Sequence, residues 1–244
     1  MYFWKCWRDT RVPFVISLTM LVFAAGVATC SNSLLFSRET GWSLVRADSP
    51  ERAAWVWRHA LRSLGAVGVA AAPLVGLVLG AIGVGDEFKP GSLDFLLTRP
   101  RPRRYFVWAG WAVGAGELLL ISFAAVVFAF ALLLYLTGTV HNWGIFALVP
   151  TMFAVAAVMY GLTYFLTVLL RSGRNGQALS LGVLVAYVLF CWWRIDPPGW
   201  WGLFFSSAKL QPVESFPTLQ LASWSLLALA FLLAAQFVFD RADV

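Results

Sequence analysis

Charge is what this chain has least of. Only 12% of its 244 residues are Asp, Glu, Lys or Arg, against 60% hydrophobic, with a mean hydropathy of +0.77. A soluble domain carries about a quarter charged residues. So few charges cannot cover a water-exposed surface, and a soluble globular domain is excluded. Cysteine is scarce too. Cys6, Cys30 and Cys191 are widely spaced and form neither a metal-ligand pattern nor a disulfide framework. The two histidines, His59 and His141, are far apart and read as structural rather than as ligands. No GxxxxGK[ST], HExxH or GxSxG string occurs, so nothing here points to a nucleotide hydrolase, a zinc protease or a serine hydrolase. A cleavable leader is not expected either. Ala24 to Ala28 is the nearest candidate for a cleavage site, and the apolar run continues past it to Phe36.

What is present is a series of apolar runs separated by clusters of charge, the pattern of transmembrane helices. Met1 to Arg11 alternates Tyr2, Phe3, Trp4 and Trp7 with Lys5, Arg8 and Arg11, and is too polar to span. Residues 1–12 are expected as an interfacial helix lying on the membrane. Six spans follow, at about Pro13–Phe36, Leu61–Val84, Tyr105–Leu136, Trp143–Leu170, Ala178–Trp193 and Thr218–Phe239. Before the second, Ser49-Pro50-Glu51 has the form of a helix start, with Ser as N-cap and Pro in the first turn. Gly76 and Gly80 form a small-residue pair that lets another helix approach closely. Arg171 to Gln177 reads as a tight basic loop. Residues 194–217 hold Pro197, Pro198, Pro212 and Pro217 among aromatics and read as re-entrant or interfacial helices. The fold class is all-α: one polytopic transmembrane domain over residues 1–244.

Orientation follows from Lys and Arg in alternate loops. With the N-terminus inside, the inner segments hold 11 of them and the outer segments 7, which favours cytoplasmic termini. The first outer segment is unusually basic, with Arg38, Arg46, Arg52, Arg58 and Arg62. The net charge of +6 is read as basic loops meeting anionic lipid, not nucleic acid.

The densest polar block is Gly85 to Arg104. Gly83-Val84-Gly85-Asp86 fits the GxGD of intramembrane aspartyl proteases, but that chemistry needs a second aspartate in the membrane to share a proton, and no other span holds one. The string GDEF matches a nucleotide-cyclase signature without a soluble domain to fold around it. Read physically, Glu87 ends the second span and Gly91-Ser92 permits a turn. Leu93, Phe95, Leu96 and Leu97 make a short apolar face, Pro100 stops the helix, and Arg101, Arg103 and Arg104 anchor the third span. An ordinary basic loop is the plainer alternative.

The order Glu87, Gly91-Ser92, Leu96-Leu97, Pro100, Arg103 resembles the coupling-helix region of type 2 ABC transporter permeases, the ABC-2 family. Other segments agree in order. The basic N-terminus resembles the elbow helix of that family, Arg171 to Gln177 its second cytoplasmic loop, and residues 194–217 its external re-entrant helices. Phe239 to Val244 resembles its basic-acidic terminus. Gly110-Trp111 stands where the family often has Gly-Lys. The resemblance implies a permease subunit of an ATP-driven transporter, an exporter by expectation, in a bacterial cytoplasmic (inner) membrane. It implies coupling through residues 86–104 to a separate cytoplasmic ATP-binding subunit, which would bind ATP and Mg, and pairing with a second permease copy or paralogue. No cofactor and no metal are expected in this chain. A non-transporting six-span scaffold or assembly factor is the alternative.

Glu117 stands about 12 residues beyond Tyr105, so a rise of 1.5 Å per residue carries it ~18 Å along the third span. A carboxyl at such a position faces protein or water rather than lipid. Two roles are open: a protonated side chain hydrogen-bonded to a neighbouring helix, or a polar point on the substrate path or subunit interface. No basic residue is expected at the same depth. Gly110 and Gly114 share a face just before it, which points to close packing there.

Overall fold

The computed structural model describes residues 2–30, 34–37, 41–44, 49–140, with 86–102 excepted, 142–193 and 218–241. Six long helices account for nearly all of it: α1 (Tyr2–Cys30), α2 (Pro50–Gly85), α3 (Arg103–Thr137), α4 (Leu148–Leu170), α5 (Gly173–Trp193) and α6 (Thr218–Arg241). A 3-10 turn, Trp143–Ala147, leads into α4. Between α1 and α2 lies an antiparallel hairpin, β1 (Leu34–Ser37) and β2 (Gly41–Leu44), with Leu34 opposite Leu44 and Ser37 opposite Gly41. The chain is an all-α polytopic membrane protein to which this hairpin is a small addition. Among the described residues, five helices are long and apolar enough to cross a membrane: α1, α2, α3, α6, and α4 together with its leading turn. In α5 the uncharged stretch Ala178–Trp193 measures about 24 Å, short of a hydrocarbon core of about 30 Å.

The helix ends have local causes. Ser49 caps α2: its Oγ accepts from the Arg52 amide at 3.3 Å, and its carbonyl accepts from the Ala53 amide at 2.9 Å. Gly138, with φ of +70°, ends α3 in the left-handed region that glycine enters without a Cβ penalty. Arg171 does the same after α4 with φ of 51°, and the Ser172 amide reaches back to the Thr167 carbonyl at 3.3 Å. Ser172 then accepts from the Asn175 amide, so α5 begins at Gly173. The basic stretch expected as a loop over Arg171–Gln177 is therefore a two-residue turn followed by the first turns of a helix.

Helix α4 is the centre of the bundle, packed on α2, α6, α5 and α3. Its contact with α2 is backbone on backbone. A Cβ on Gly76 would stand 2.1 Å from the Ala156 carbonyl oxygen, and one on Gly80 2.7 Å from the Tyr160 carbonyl oxygen. The close partner implied by the Gly76–Gly80 pair is thus α4. Between α4 and α5, Gly176 meets the Thr167 backbone in the same way. The outside of the bundle is apolar: Val12, Ile16, Met20, Phe23 and Val27 on α1, and Leu226, Leu229, Leu233 and Phe237 on α6, are exposed. Such a surface suits lipid and would be a liability in water.

Residues 2–12, expected as part of an interfacial helix of their own, are the opening turns of α1, which runs unbroken through Pro13. On its packed side Cys6 is buried against Phe106 and Ala109 of α3 and Thr10 is buried as well, while Trp4 and Val12 are exposed.

Candidate functional site

Two regions carry the functional expectations. The first is the block between α2 and α3. Glu87, Gly91, Ser92, Leu96, Leu97 and Pro100 lie outside the described residues, as does the 194–217 segment; Arg103 is the first residue of α3. Their surroundings can still be read. The Tyr164 hydroxyl of α4 donates to the Val107 carbonyl of α3 at 3.0 Å, and the Trp108 indole of α3 donates to Gln236 Oε1 of α6 at 3.0 Å. These contacts bring the start of α3 and the ends of α4 and α6 to one end of the bundle, where Arg104, Arg171, Arg174 and Arg241 collect. Gly80 against Tyr160 and Thr163 brings the last turns of α2 to that same end.

The second region surrounds Glu117. Its side chain is 2% exposed. The Thr10 hydroxyl of α1 contacts Glu117 Oε1 and also lies 3.0 Å from the Cys6 carbonyl and 3.3 Å from the Trp7 carbonyl. A hydroxyl has one proton. Either Thr10 donates it to the carboxylate, or a protonated Glu117 donates to Thr10 while Thr10 donates to Cys6. Both arrangements close the α1–α3 contact. Glu117 Oε2 has no hydrogen-bond partner among the described residues, and neither has the buried Trp111 indole N–H.

A third helix completes this region. Two tyrosines one turn apart on α4, Tyr160 and Tyr164, are fully buried against α3. Tyr160 donates to the Gly110 carbonyl at 3.1 Å. A Cβ on Gly114 would lie 2.3 Å from its hydroxyl oxygen, and one on Gly110 3.1 Å from that of Tyr164. The shared glycine face of α3 is therefore a bed for two phenol rings. Sequence reasoning missed Thr10, Tyr160 and Tyr164. The Tyr-x-x-x-Tyr spacing opposite Gly-x-x-x-Gly was the available signal for the tyrosines. Thr10 offered none, because its segment was read as lying on the membrane.

Comparison with protein families gives a match to the model of the ABC-2 family transporter proteins over residues 18–195, well over half of the chain. The chain belongs to the ABC-2 transporter family. A comparison with curated protein sequences finds no match. The ABC-2 match includes the whole block between α2 and α3, the glycine face of α3 and Glu117. It begins after Thr10 and ends before α6. As an ABC-2 protein with apolar helices that can cross a bilayer, the chain is an integral membrane transport permease. The Thr10–Glu117 contact joins the family-matched bundle to the N-terminal turns that precede it.

Proposed function

We propose that this ABC-2 permease is the membrane subunit of an ATP-driven exporter, coupled through residues 86–104 to a separate cytoplasmic ATPase and paired with a second permease copy or paralogue. The family match across that block carries the reading. It is supported by the order Glu87, Gly91-Ser92, Leu96-Leu97, Pro100, Arg103, set between helices whose ends share one end of the bundle with several arginines. The sequence contains no phosphate-binding GxxxxGK[ST], so ATP and Mg belong to the partner. The loop charges favour both termini inside, and the family reading favours the bacterial cytoplasmic membrane. Glu117 would serve either at the helix interface or on the substrate path.

The test is coupling. Leu96→Asp places a charge in an apolar contact, at a cost of several kcal/mol, and Glu87→Ala removes the acid of the motif. Each is expected to abolish ATPase pull-down and stimulation, and with them transport, while membrane insertion continues. Wild-type values for all three in both variants would leave a basic loop on a non-transporting scaffold.

A further inference from the structure

The first outer segment is too basic for the side of the membrane that the other loops assign to it, and the structure shows where part of that charge goes. Arg58 and Arg62 lie one turn apart on α2, both exposed, on the same side as Trp55, which is 44% exposed. The Trp55 ring stacks on His59 at 4.0 Å. Among the described residues neither arginine has an acidic partner; the Arg58 Nε donates only to the Ala54 carbonyl, at 3.4 Å. From Arg62 to the end of α2 the helix carries no further charge, and its exposed side continues as Ala66 and Ala70.

The height of this pair is fixed from the opposite side of the helix. The Trp57 indole donates to Thr137 Oγ1 at 3.0 Å and to the Thr139 carbonyl at 3.2 Å, so Arg58 is level with the end of α3. Arg62 lies about 6 Å further in. Two more aromatics stand exposed at this end, Tyr135 at 67% and Trp143 at 68%. Exposed Trp and Tyr at the end of a membrane bundle mark the headgroup layer. Two guanidinium groups therefore stand at headgroup height, on the end of the bundle opposite Arg104, Arg171 and Arg241, with apolar helix below them.

We propose that Arg58 and Arg62 form a binding site for the phosphate of an anionic phospholipid in the leaflet at this end of the bundle. A guanidinium offers paired N–H donors that match phosphate oxygens, and an arginine pair one turn apart can hold a single headgroup from two sides. The aromatic neighbours keep that height fixed in the bilayer. The inference is independent of ATP coupling and needs only that the chain sits in a membrane.

The experiment is lipid binding to the purified full chain in neutral detergent, read by native mass spectrometry. Phosphatidylglycerol is expected to bind in preference to phosphatidylcholine. Each arginine near an anionic lipid contributes about fivefold in affinity, so Arg58→Gln with Arg62→Gln is expected to weaken phosphatidylglycerol binding about 25-fold. Arg58→Lys with Arg62→Lys keeps the charge but loses the paired donors, and is expected to bind phosphatidylglycerol more weakly than wild type and more tightly than the Gln variant. Both side chains are exposed, so the variants fold; gel filtration checks this. Equal binding of the two lipids, or undiminished phosphatidylglycerol binding by the Gln variant, overturns the proposal. So does release of the lipid by millimolar inorganic phosphate, which would make a soluble phosphate the ligand.

Discussion

Replacing Gly76 by Ala adds one methyl group, and the structure says what that group meets. Its carbon would lie 2.1 Å from the Ala156 carbonyl oxygen, 2.9 Å from the Tyr160 amide nitrogen and 3.0 Å from the Ala156 carbonyl carbon. All three are backbone atoms of α4, so no rotamer change relieves the contact. The helices must separate by roughly 1 Å to reach ordinary van der Waals distance. Helix α4 cannot retreat freely, because α3, α5 and α6 pack on its other sides. Overpacking a core costs about 1–3 kcal/mol, and a backbone clash belongs at the upper end. Against this, Ala gains about 1 kcal/mol over Gly in helix propensity. The net expectation is a loss of about 2 kcal/mol. Gly182→Ala on α5 is the control, since its added carbon meets nothing within 4 Å and only the propensity gain remains. Unfolding of both variants in detergent, followed by tryptophan fluorescence, should place them on opposite sides of wild type. Equal stability for the two would refute the close α2–α4 approach.

Two further outcomes are expected. Glu117→Gln keeps an acceptor for the Thr10 hydroxyl, and Glu117→Leu leaves Thr10 still within reach of the Cys6 carbonyl. Even the Leu variant should therefore lose no more than about 1 kcal/mol of stability, and a transport defect in a stable Gln variant would assign the carboxyl a working role; full transport by the Leu variant would remove it. Single cysteines at Ser92 and Ser206, in a chain freed of its native cysteines, should be labelled from opposite sides of the membrane, and labelling of both from outside would reverse the proposed orientation.

The helices were legible because an apolar run bounded by charge is a one-dimensional signal. The start of α2 was legible for a different reason: Ser49-Pro50 encodes a cap in consecutive residues. What could not be read depends on partners far away in sequence. Four-residue strands such as Leu34–Ser37 and Gly41–Leu44 are defined by pairing with each other, and neither carries a pattern of its own. Arg171 to Gln177 looks like a loop by composition. It opens a helix because Ser172 caps it and Gly176 lets it rest against Thr167. The opening turns of α1 look like a surface helix because aromatic and basic residues alternate there; the contact with α3 is made instead by Cys6 and Thr10, which carry no such pattern. Of the candidate site, the glycine face of α3 was visible, and the tyrosines that fill it were not connected to it.

Glu117 shows what changes when a position is measured against a neighbour instead of counted along its own helix. Counting from Tyr105 placed it deep in an apolar span with no basic residue at its height. The contact with Thr10 sets it beside α1 instead, level with the turn that carries Arg8, Asp9 and Arg11. Arg8 and Asp9 face each other there at 3.8 Å and are at least partly exposed. The carboxyl therefore does not need an isolated polar pocket in hydrocarbon. It sits on the protein side of a helix pair whose outer side is charged, enclosed by α1 and α3, with the tyrosine layer of α4 on the α3 turns just before it. A buried acid in this setting costs less than one facing lipid, because helices rather than acyl chains surround it. Its position also gives α1 a polar attachment to the family-matched bundle near Pro13, whose missing N–H leaves one backbone hydrogen bond of α1 unmade. Any tilting of α1 about that proline would have to break or carry the Glu117 contact. The residue thus stands where the N-terminal turns and the packing of α3 meet.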